Sequence, residues 1–271
     1  MIYQKLLPPP HLQDYVRFFW VLESTPSTQI PYVYRSMADG CLELVFHYKG
    51  HFTEITDGVS IPQVDSLIHA QSNHFRRFIT QQQFGIFGAY IYPYAADRLF
   101  GHAPSALSNH MLGLADALNQ EGRDIEEQMM LAQNTKVRVK ILSHFLTQRA
   151  QGRFVIKDVP AVHAIKSIIR QRGVATVKEL AEQSYLSVRQ FERKFKQFSG
   201  FSPKLYTRII RFQSAMDEYG KSNKTLTEIA YESGYYDQSH FIHEFKRFSG
   251  YHPKTFFSGQ AEGTDYREEP N

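Results

Sequence analysis

Ser187-Val188-Arg189-Gln190-Phe191-Glu192-Arg193-Lys194-Phe195-Lys196-Gln197-Phe198-Ser199-Gly200-Phe201-Ser202-Pro203-Lys204 returns as Asp237-Gln238-Ser239-His240-Phe241-Ile242-His243-Glu244-Phe245-Lys246-Arg247-Phe248-Ser249-Gly250-Tyr251-His252-Pro253-Lys254, an offset of 50 residues. The shared skeleton is F-x-x-x-F-K-x-F-S-G-aromatic-x-P-K. Its phenylalanines fall at spacings of four and three, the signature of one buried helix face. Gly200 and Gly250 fit the left-handed position just past a helix, each with an aromatic residue next and a proline beyond. Core-type residues match between the copies, whereas most exposed positions early in the helix differ. One scaffold is used twice with different surface chemistry.

Working outward, each copy is preceded by a shorter helix. Thr176 caps Val177–Gln183, with Glu179 at the capping-box position. Ser184 to Ser187 form a tight corner before the helix Val188–Ser199. In the second unit Thr225 and Glu228 repeat the box, Leu226–Ser233 is helical, Asp237 caps, and Gln238–Ser249 follows. Ala181 and Ala230 mark corresponding close helix crossings. They differ by 49 residues, so the second corner holds one extra residue. Pro203–Tyr219, ended by Gly220, is a long helix joining the two units. A first helix around Val162, Ile165, Ile168 and Ile169 ends near Arg172-Gly173. The back half is thus all-helical.

Charge separates the halves. Residues 153–260 carry 18 Lys and Arg against 10 Asp and Glu; residues 1–152 carry 12 against 13, and 261–271 carry 1 against 4. A basic back half behind a neutral front half points to a polyanionic partner for the back half. No apolar run is long enough to span a membrane, and the N-terminus lacks a signal-peptide core. Cys41 is the only cysteine among 271 residues, so no internal disulfide and no cysteine-based zinc site is expected. Beside Leu42, Leu44 and Phe46 it reads as a small buried hydrophobe. These features fit a reducing cytoplasm.

A bent helix pair of this kind presents its second helix to the DNA major groove, whose edges distinguish all four base pairs. Residues of about 160–257 resemble the DNA-binding domain of the AraC/XylS family of transcription regulators. The resemblance is carried by Ile229-Ala230-Tyr231-Glu232-Ser233-Gly234-Tyr235-Tyr236-Asp237-Gln238-Ser239-His240-Phe241, by Phe245 to Pro253, and by Arg211-Phe212-Gln213-Ser214-Ala215. Tyr236 departs from the usual Ser, and Ser233 from a commonly apolar residue. The resemblance implies seven helices, two recognition helices joined by a central one, and double-stranded DNA as partner, with RNA polymerase added if the chain activates.

Removing the inward phenylalanines leaves Arg189, Glu192 and Arg193 outward on the first recognition helix, and Gln238, Ser239, His240 and His243 on the second. Matched to the family pattern, these are the expected base contacts. Arginine bridges guanine O6 and N7, and glutamate accepts from cytosine N4. Ser187, Lys194, Lys196, Lys204, Lys246, Arg247 and Lys254 are expected at phosphates. Arg211 is expected as a structural ion-pair partner.

The front half mixes strands and turns. Tyr32-Val33-Tyr34, Leu42–Phe46 and Phe84–Ile91 read as strands; the glycines of the last suggest bends or close backbone approach. His11–Trp20 is open between helix and strand. Ala95–Phe100, Asp124–Ala132 and Lys136–Arg149 read as helices, the last with Val137, Ile141, Leu142 and Phe145 on one face. The expected fold is an α+β N-terminal domain, barrel-like strands plus helices, followed by the all-α double helix-turn-helix domain. The expected boundaries are 1–152 for an effector-binding or dimerisation domain, 153–160 for a linker, 161–258 for the DNA-binding domain and 259–271 for a flexible acidic tail.

By the family resemblance the front half senses a small molecule, forms a homodimer, or both. Pro8-Pro9-Pro10, Phe18 to Glu23 and Phe87-Gly88-Ala89-Tyr90 also resemble uncharacterised domains fused to such modules, which name no ligand. Tyr34, Tyr48, Arg76, Arg77 and Tyr90 are the candidate effector contacts. No cofactor is expected. His47 with His51, and His69 with His74, lack the carboxylate–histidine spacing of a metal site. Two alternatives stay open: a front half that only dimerises or docks a protein through Lys136–Arg149, and a Cys41-dependent DNA-repair enzyme, which the missing second cysteine disfavours.

Overall fold

The computed structural model describes residues 1–25, 31–151, 159–218 and 224–263. The chain separates into two compact units: residues 1–33, 41–71 and 76–154 form the first, and residues 34–40, 72–75 and 155–271 the second. The expected linker at 153–160 lies almost wholly outside the described residues, as do Tyr219, Gly220 and most of the acidic tail.

The strands are β1 (Ile2–Leu6), β2 (Val16–Ser24), β3 (Tyr32–Ser36), β4 (Leu42–Lys49), β5 (Thr53–Thr56), β6 (Val59–Pro62), β7 (Ser66–His69), β8 (Arg76–Thr80), β9 (Phe84–Ile91) and β10 (Met111–Gly113). They make a six-stranded sheet, β1-β2-β9-β4-β7-β10, and a four-stranded one, β3-β8-β5-β6. Segment 11–20, open in the sequence, divides: a single 3-10 turn covers Pro10–Leu12 and β2 starts at Val16. Pro10 occupies the first helical position, where its missing N–H costs nothing.

The centre of the larger sheet is β9, paired antiparallel with β2 and β4. Its glycines serve close approach. A Cβ at Gly88 would stand 2.2 Å from the Trp20 ring, and one at Gly85 2.4 Å from Tyr48. Phe19, Phe46, Phe52, Phe84 and Phe87 are fully buried, with Phe52 and Phe84 edge to face at 4.9 Å.

The first unit also contains α1 (Ala96–Phe100), α2 (Pro104–Leu107), α3 (Leu114–Leu118), α4 (Gln120–Leu131) and α5 (Thr135–Ala150). Helices α1 and α5 satisfy each other's last carbonyls. Arg98 donates to the Ala150 carbonyl at 3.2 and 3.1 Å, and Arg149 donates to the Leu99 carbonyl and to Glu121. The expected apolar face of α5 is rotated. Arg138, Leu142, Ser143 and Leu146 are buried, whereas Val137 is 38% exposed. Apolar periodicity cannot foresee a buried guanidinium; here Arg138 lies 3.5 Å over the Tyr48 ring and bonds the Met129 carbonyl at 3.2 Å. No described helix is long and apolar enough to cross a membrane.

The second unit holds α6 (Pro160–Arg170), α7 (Val177–Gln183), α8 (Val188–Ser199), α9 (Pro203–Met216), α10 (Leu226–Glu232), α11 (Gln238–Ser249) and α12 (Pro253–Phe257). Both expected capping boxes form, and Ser187 with Gln190 makes a third. Gly200 and Gly250 take the left-handed conformation at φ 81° and 73°. Two bounds differ from expectation. Helix α9 stops at Met216, with Asp217 closing it, and α10 stops at Glu232, with Ser233 as its cap.

Gly173 also adopts a positive φ, 76°, and a Cβ there would lie 2.5 Å from both the Arg211 nitrogen and the Thr207 carbonyl oxygen. Backbone atoms of a packed helix cannot yield as a side-chain tip does. Gly173→Ala should therefore destabilise the second unit by about 2–3 kcal/mol, measured as a lower urea midpoint at unchanged slope.

Candidate nucleic-acid interface

The two helix pairs have the same internal corner. Leu186 N–H donates to the Ala181 carbonyl at 3.1 Å, and Tyr235 N–H to the Ala230 carbonyl at 2.9 Å. Tyr185 and Gly234 precede these donors, both left-handed, at φ 53° and 77°. Leu186 therefore corresponds to Tyr235, and the extra residue of the second corner is Tyr236. It is 85% exposed and stands directly before the cap Asp237.

Behind each recognition helix lies phenylalanine. Phe191 and Phe195 are buried on α8, with Phe198 half-buried; Phe241, Phe245 and Phe248 are buried on α11. This leaves Arg189, Glu192 and Arg193 exposed on α8, and Gln238, Ser239, His240 and His243 exposed on α11. Lys194, Lys196, Lys204, Lys246, Arg247 and Lys254 are exposed as well. Ser187 is exposed but engaged: its hydroxyl accepts from the Gln190 N–H at 3.4 Å and donates to Oε1 of Gln190 at 2.9 Å.

Helix α9 carries both pairs. Tyr206 packs edge-on against Phe195 of α8 at 5.5 Å. Phe212 meets Phe245 and Phe248 of α11 at 5.2 and 5.4 Å. Arg208 of α9 donates to Glu244 of α11. Glu244 is completely buried, a residue that sequence reasoning missed. Its one textual signal is the spacing: it follows His240 by one helical turn, and the corresponding position of the first copy is Lys194. Arg211 does not make the expected ion pair. It donates to the Gly173 carbonyl at 3.3 Å and lies 5.5 Å over the Tyr235 ring. Burial, then the nearby Glu244 charge, pushes the Tyr235 phenol well above its ordinary range.

The candidate effector residues are placed differently. Tyr34 belongs to the second unit and the other four to the first. Tyr48 donates its hydroxyl to Glu23 and sits beside Gly85, whereas Tyr90 stacks on Phe18 at 4.7 Å near the other end of β9. Arg76 and Arg77 lie on β8, in the smaller sheet. Arg76 donates to the buried Glu54 at 2.6 Å and to the Asn109 carbonyl at 2.7 Å. His47 is buried against Phe52, and desolvation, aided by His51, lowers its pKa to about 4. Among the described residues no group of three His, Cys, Asp or Glu could hold a metal.

Residues 180–259 match the family model described as a Helix-turn-helix domain. That match coincides with the paired corners, the outward basic faces and the signature around Gly234. These residues form a helix-turn-helix domain of the AraC type, the DNA-binding module of transcription regulators. Residues 4–113 match a second model, Domain of unknown function (DUF6597). Among solved structures the chain is similar to ToxT from Vibrio cholerae O395, at 13% identity over 94% of this chain and 97% of that one, with a TM-score of 0.49. Part of it is similar to the DNA-binding domain of AdpA, the global transcriptional factor, solved with a target DNA: 22% identity, 37% of this chain, 91% of that one, TM-score 0.35. It is also similar to the C-terminal domain of AraT, a response regulator from Geobacillus stearothermophilus: 24% identity, 42% of this chain, 96% of that one, TM-score 0.36. No curated protein matches the chain.

The two threonine capping boxes bear on the pH dependence of the helices. Bonds from the backbone and side chain of Thr176 and of Thr225 hold the carboxyls of Glu179 and Glu228 below their ordinary value of 4.5. A depressed folded-state pKa gives stabilisation that is complete above the unfolded value and disappears as pH falls through the folded one. Helical circular dichroism should decline as pH drops below about 4, and a Glu179→Gln, Glu228→Gln double variant should show a shallower decline.

Proposed function

We propose that α8 and α11 enter successive stretches of major groove on one face of DNA. In this reading Arg189, Glu192 and Arg193 meet one stretch, and Gln238, Ser239, His240 and His243 the next. The observation that carries it is the shared frame: both outward faces are backed by phenylalanines that pack on the single helix α9. At 1.5 Å per residue, α9 spans roughly 21 Å. With a helix pair docked at each side, this length is compatible with recognition helices about 34 Å apart, one turn of DNA. Lys194, Lys196, Lys204, Lys246, Arg247 and Lys254 then neutralise phosphates. Ser187 meets a phosphate only by sharing a hydroxyl already committed to its own helix.

The first unit, in this proposal, makes binding conditional on a small molecule. A groove of about 500 Å³ lies between α1, α4 and α5, with Ile125, Ile141 and Phe145 at its apolar side and Arg98, Glu121 and His144 among its polar lining. Its size is that of a small-molecule site. The same groove supports a second reading, in which this face docks a second copy or another protein. Sedimentation with and without metabolite pools separates the two, since ligand-independent dimers favour docking. Contact with RNA polymerase would follow if the outcome is activation, and a DNA partner fits a cytoplasmic location. Cys41 is 1% exposed, which withholds its sulfur from a DNA substrate and supports a non-enzymatic role.

Two outcomes test the DNA-reading assignment. Arg193→Ala should lower affinity by about 1–3 kcal/mol and relax preference at one base position; uniform weakening over all sequences would make Arg193 a phosphate contact instead. Affinity should fall linearly in log–log form with salt, and Lys194→Ala should reduce that slope by about one. Binding indifferent to salt would overturn the proposed docking.

A further inference from the structure

We propose that Arg35 is a positioning residue for DNA reading by α11: together with Ala38 and Phe75 it fixes the C-terminal end of that helix, and through it the aim of the outward residues. The inference rests on α11 being a base-reading helix. It adds a determinant that lies 214 positions earlier in the chain than the helix end it holds.

A helix leaves its last four carbonyls without partners of its own. On α11 two of these are met from outside the helix. Ala38 N–H donates to the Phe248 carbonyl at 2.9 Å, and Nη1 of Arg35 approaches the Ser249 carbonyl at 3.5 Å. Both donors come from residues 34–40, which belong to the second unit, as do residues 72–75. The two segments are tied to each other, because Asp39 and Ser72 exchange backbone bonds at 2.8 and 3.0 Å. A guanidinium also suits this place electrostatically, since the carbonyl end of a helix is its negative end.

Arg35 is itself held from several sides. Its side chain is only 11% exposed, and Nη2 donates to Glu262 at 2.6 Å. The guanidinium lies 4.0 Å over the Tyr251 ring and 5.1 Å over the Phe75 ring, a cation between two aromatic faces. The Tyr251 hydroxyl donates to the Glu262 carbonyl, which closes the ring of contacts. Phe75 lies against the left-handed Gly250, where a Cβ would stand 2.6 Å from its ring. The stop Ser249-Gly250-Tyr251 is thus gripped by a planar cation on one residue, a ring on the next and a backbone donor beside them. Arginine suits this place because it stacks and bonds at once, which the lysine ammonium does not.

The length of α11 turns this grip into aim. The helix has 12 residues, roughly 18 Å at 1.5 Å per residue. Gln238, Ser239, His240 and His243 lie in its first half, whereas Phe245 and Phe248, which pack on Phe212 of α9, lie in its second. Those rings act as a pivot. A shift of the helix end behind the pivot swings the outward turns ahead of it by a comparable distance the other way. A binding constellation tolerates only about 0.5 Å of such error. Arg35, Ala38 and Phe75 all bear on the stop of α11, so their effect falls on the DNA stretch that α11 meets.

The test uses the full chain, a duplex selected by it from a random-sequence pool, and single-base-pair variants of that duplex, all at fixed salt. Positions whose preference changes in a Gln238→Ala, His243→Ala double variant mark the stretch met by α11, and those that change in Arg193→Ala mark the stretch met by α8. Arg35→Ala should reduce discrimination at the α11 positions from about tenfold or more towards unity, and leave the α8 positions as in wild type. Arg35→Lys keeps the charge but loses the planar fork, so it should recover only part of the discrimination. A role limited to stability would lower the thermal midpoint or weaken binding to every duplex alike. Either result without selective loss at the α11 positions overturns the proposal. If Arg35→Ala does not fold, Phe75→Ala, at a residue 38% exposed, must show the same selective loss, and unchanged discrimination there is equally decisive. A chain that selects no duplex, or a double variant with unchanged preferences, removes the base-reading assignment of α11 first, and this inference with it.

Discussion

The DNA-binding half depends on one packing constraint, the aromatic seating of both recognition helices on α9. Tyr206 holds Phe195, and Phe212 holds Phe245 and Phe248. A helix rises 1.5 Å per residue and resists bending, so two anchors on it fix two partners in translation and in rotation about the axis. Chemistry sets the alternation: the aromatic rings of α8 and α11 face α9, joined on α11 by the buried Glu244 that Arg208 of α9 meets, whereas Arg189, Glu192, Arg193, Gln238, Ser239, His240 and His243 face outward. Loss of one ring would free its helix to rock on α9 and blur the placement of the outward residues.

Duplication preserved the frame and released the surface. Both corners use the same backbone bond and a left-handed residue, yet Gly234 stands where the first copy has Tyr185. Glycine enters that conformation freely, whereas tyrosine is strained there. The second corner then lengthens by Tyr236, which sits exposed just before the helix cap. The copies diverge again at Lys194 and Glu244, one solvated and the other buried against Arg208. The two helices therefore differ in the charge behind the outward face as well as in the residues on it.

Charged groups in the interior account for the main differences between sequence and structure. On α5 the apolar pattern marks a face through Val137, but the helix turns Arg138 inward to lie over Tyr48 and bond the Met129 carbonyl. On α11 the same kind of pattern finds the phenylalanines and overlooks Glu244. Hydrophobic periodicity assigns every charge to water, which holds unless a partner from elsewhere in the chain compensates the lost hydration. The partners, Tyr48 with Glu23 for Arg138 and Arg208 for Glu244, lie on other elements, so spacing within the helix carries no sign of them.

The helices of the back half were legible because their determinants are local. Caps, capping-box glutamates, left-handed glycines and phenylalanines at spacings of three and four act within a turn or two of chain, and the structure places α7, α8 and α11 at the expected residues. Strands Phe84–Ile91 and Leu42–Phe46 were legible for the same reason. The sheet order, the close seat of Trp20 and Tyr48 over glycines of β9, the reciprocal capping of α1 and α5, and the buried Glu244 were decided only by tertiary structure. Each depends on which distant segments meet, because burial makes a group's surroundings, rather than its own chemistry, set whether it is charged, bonded or exposed.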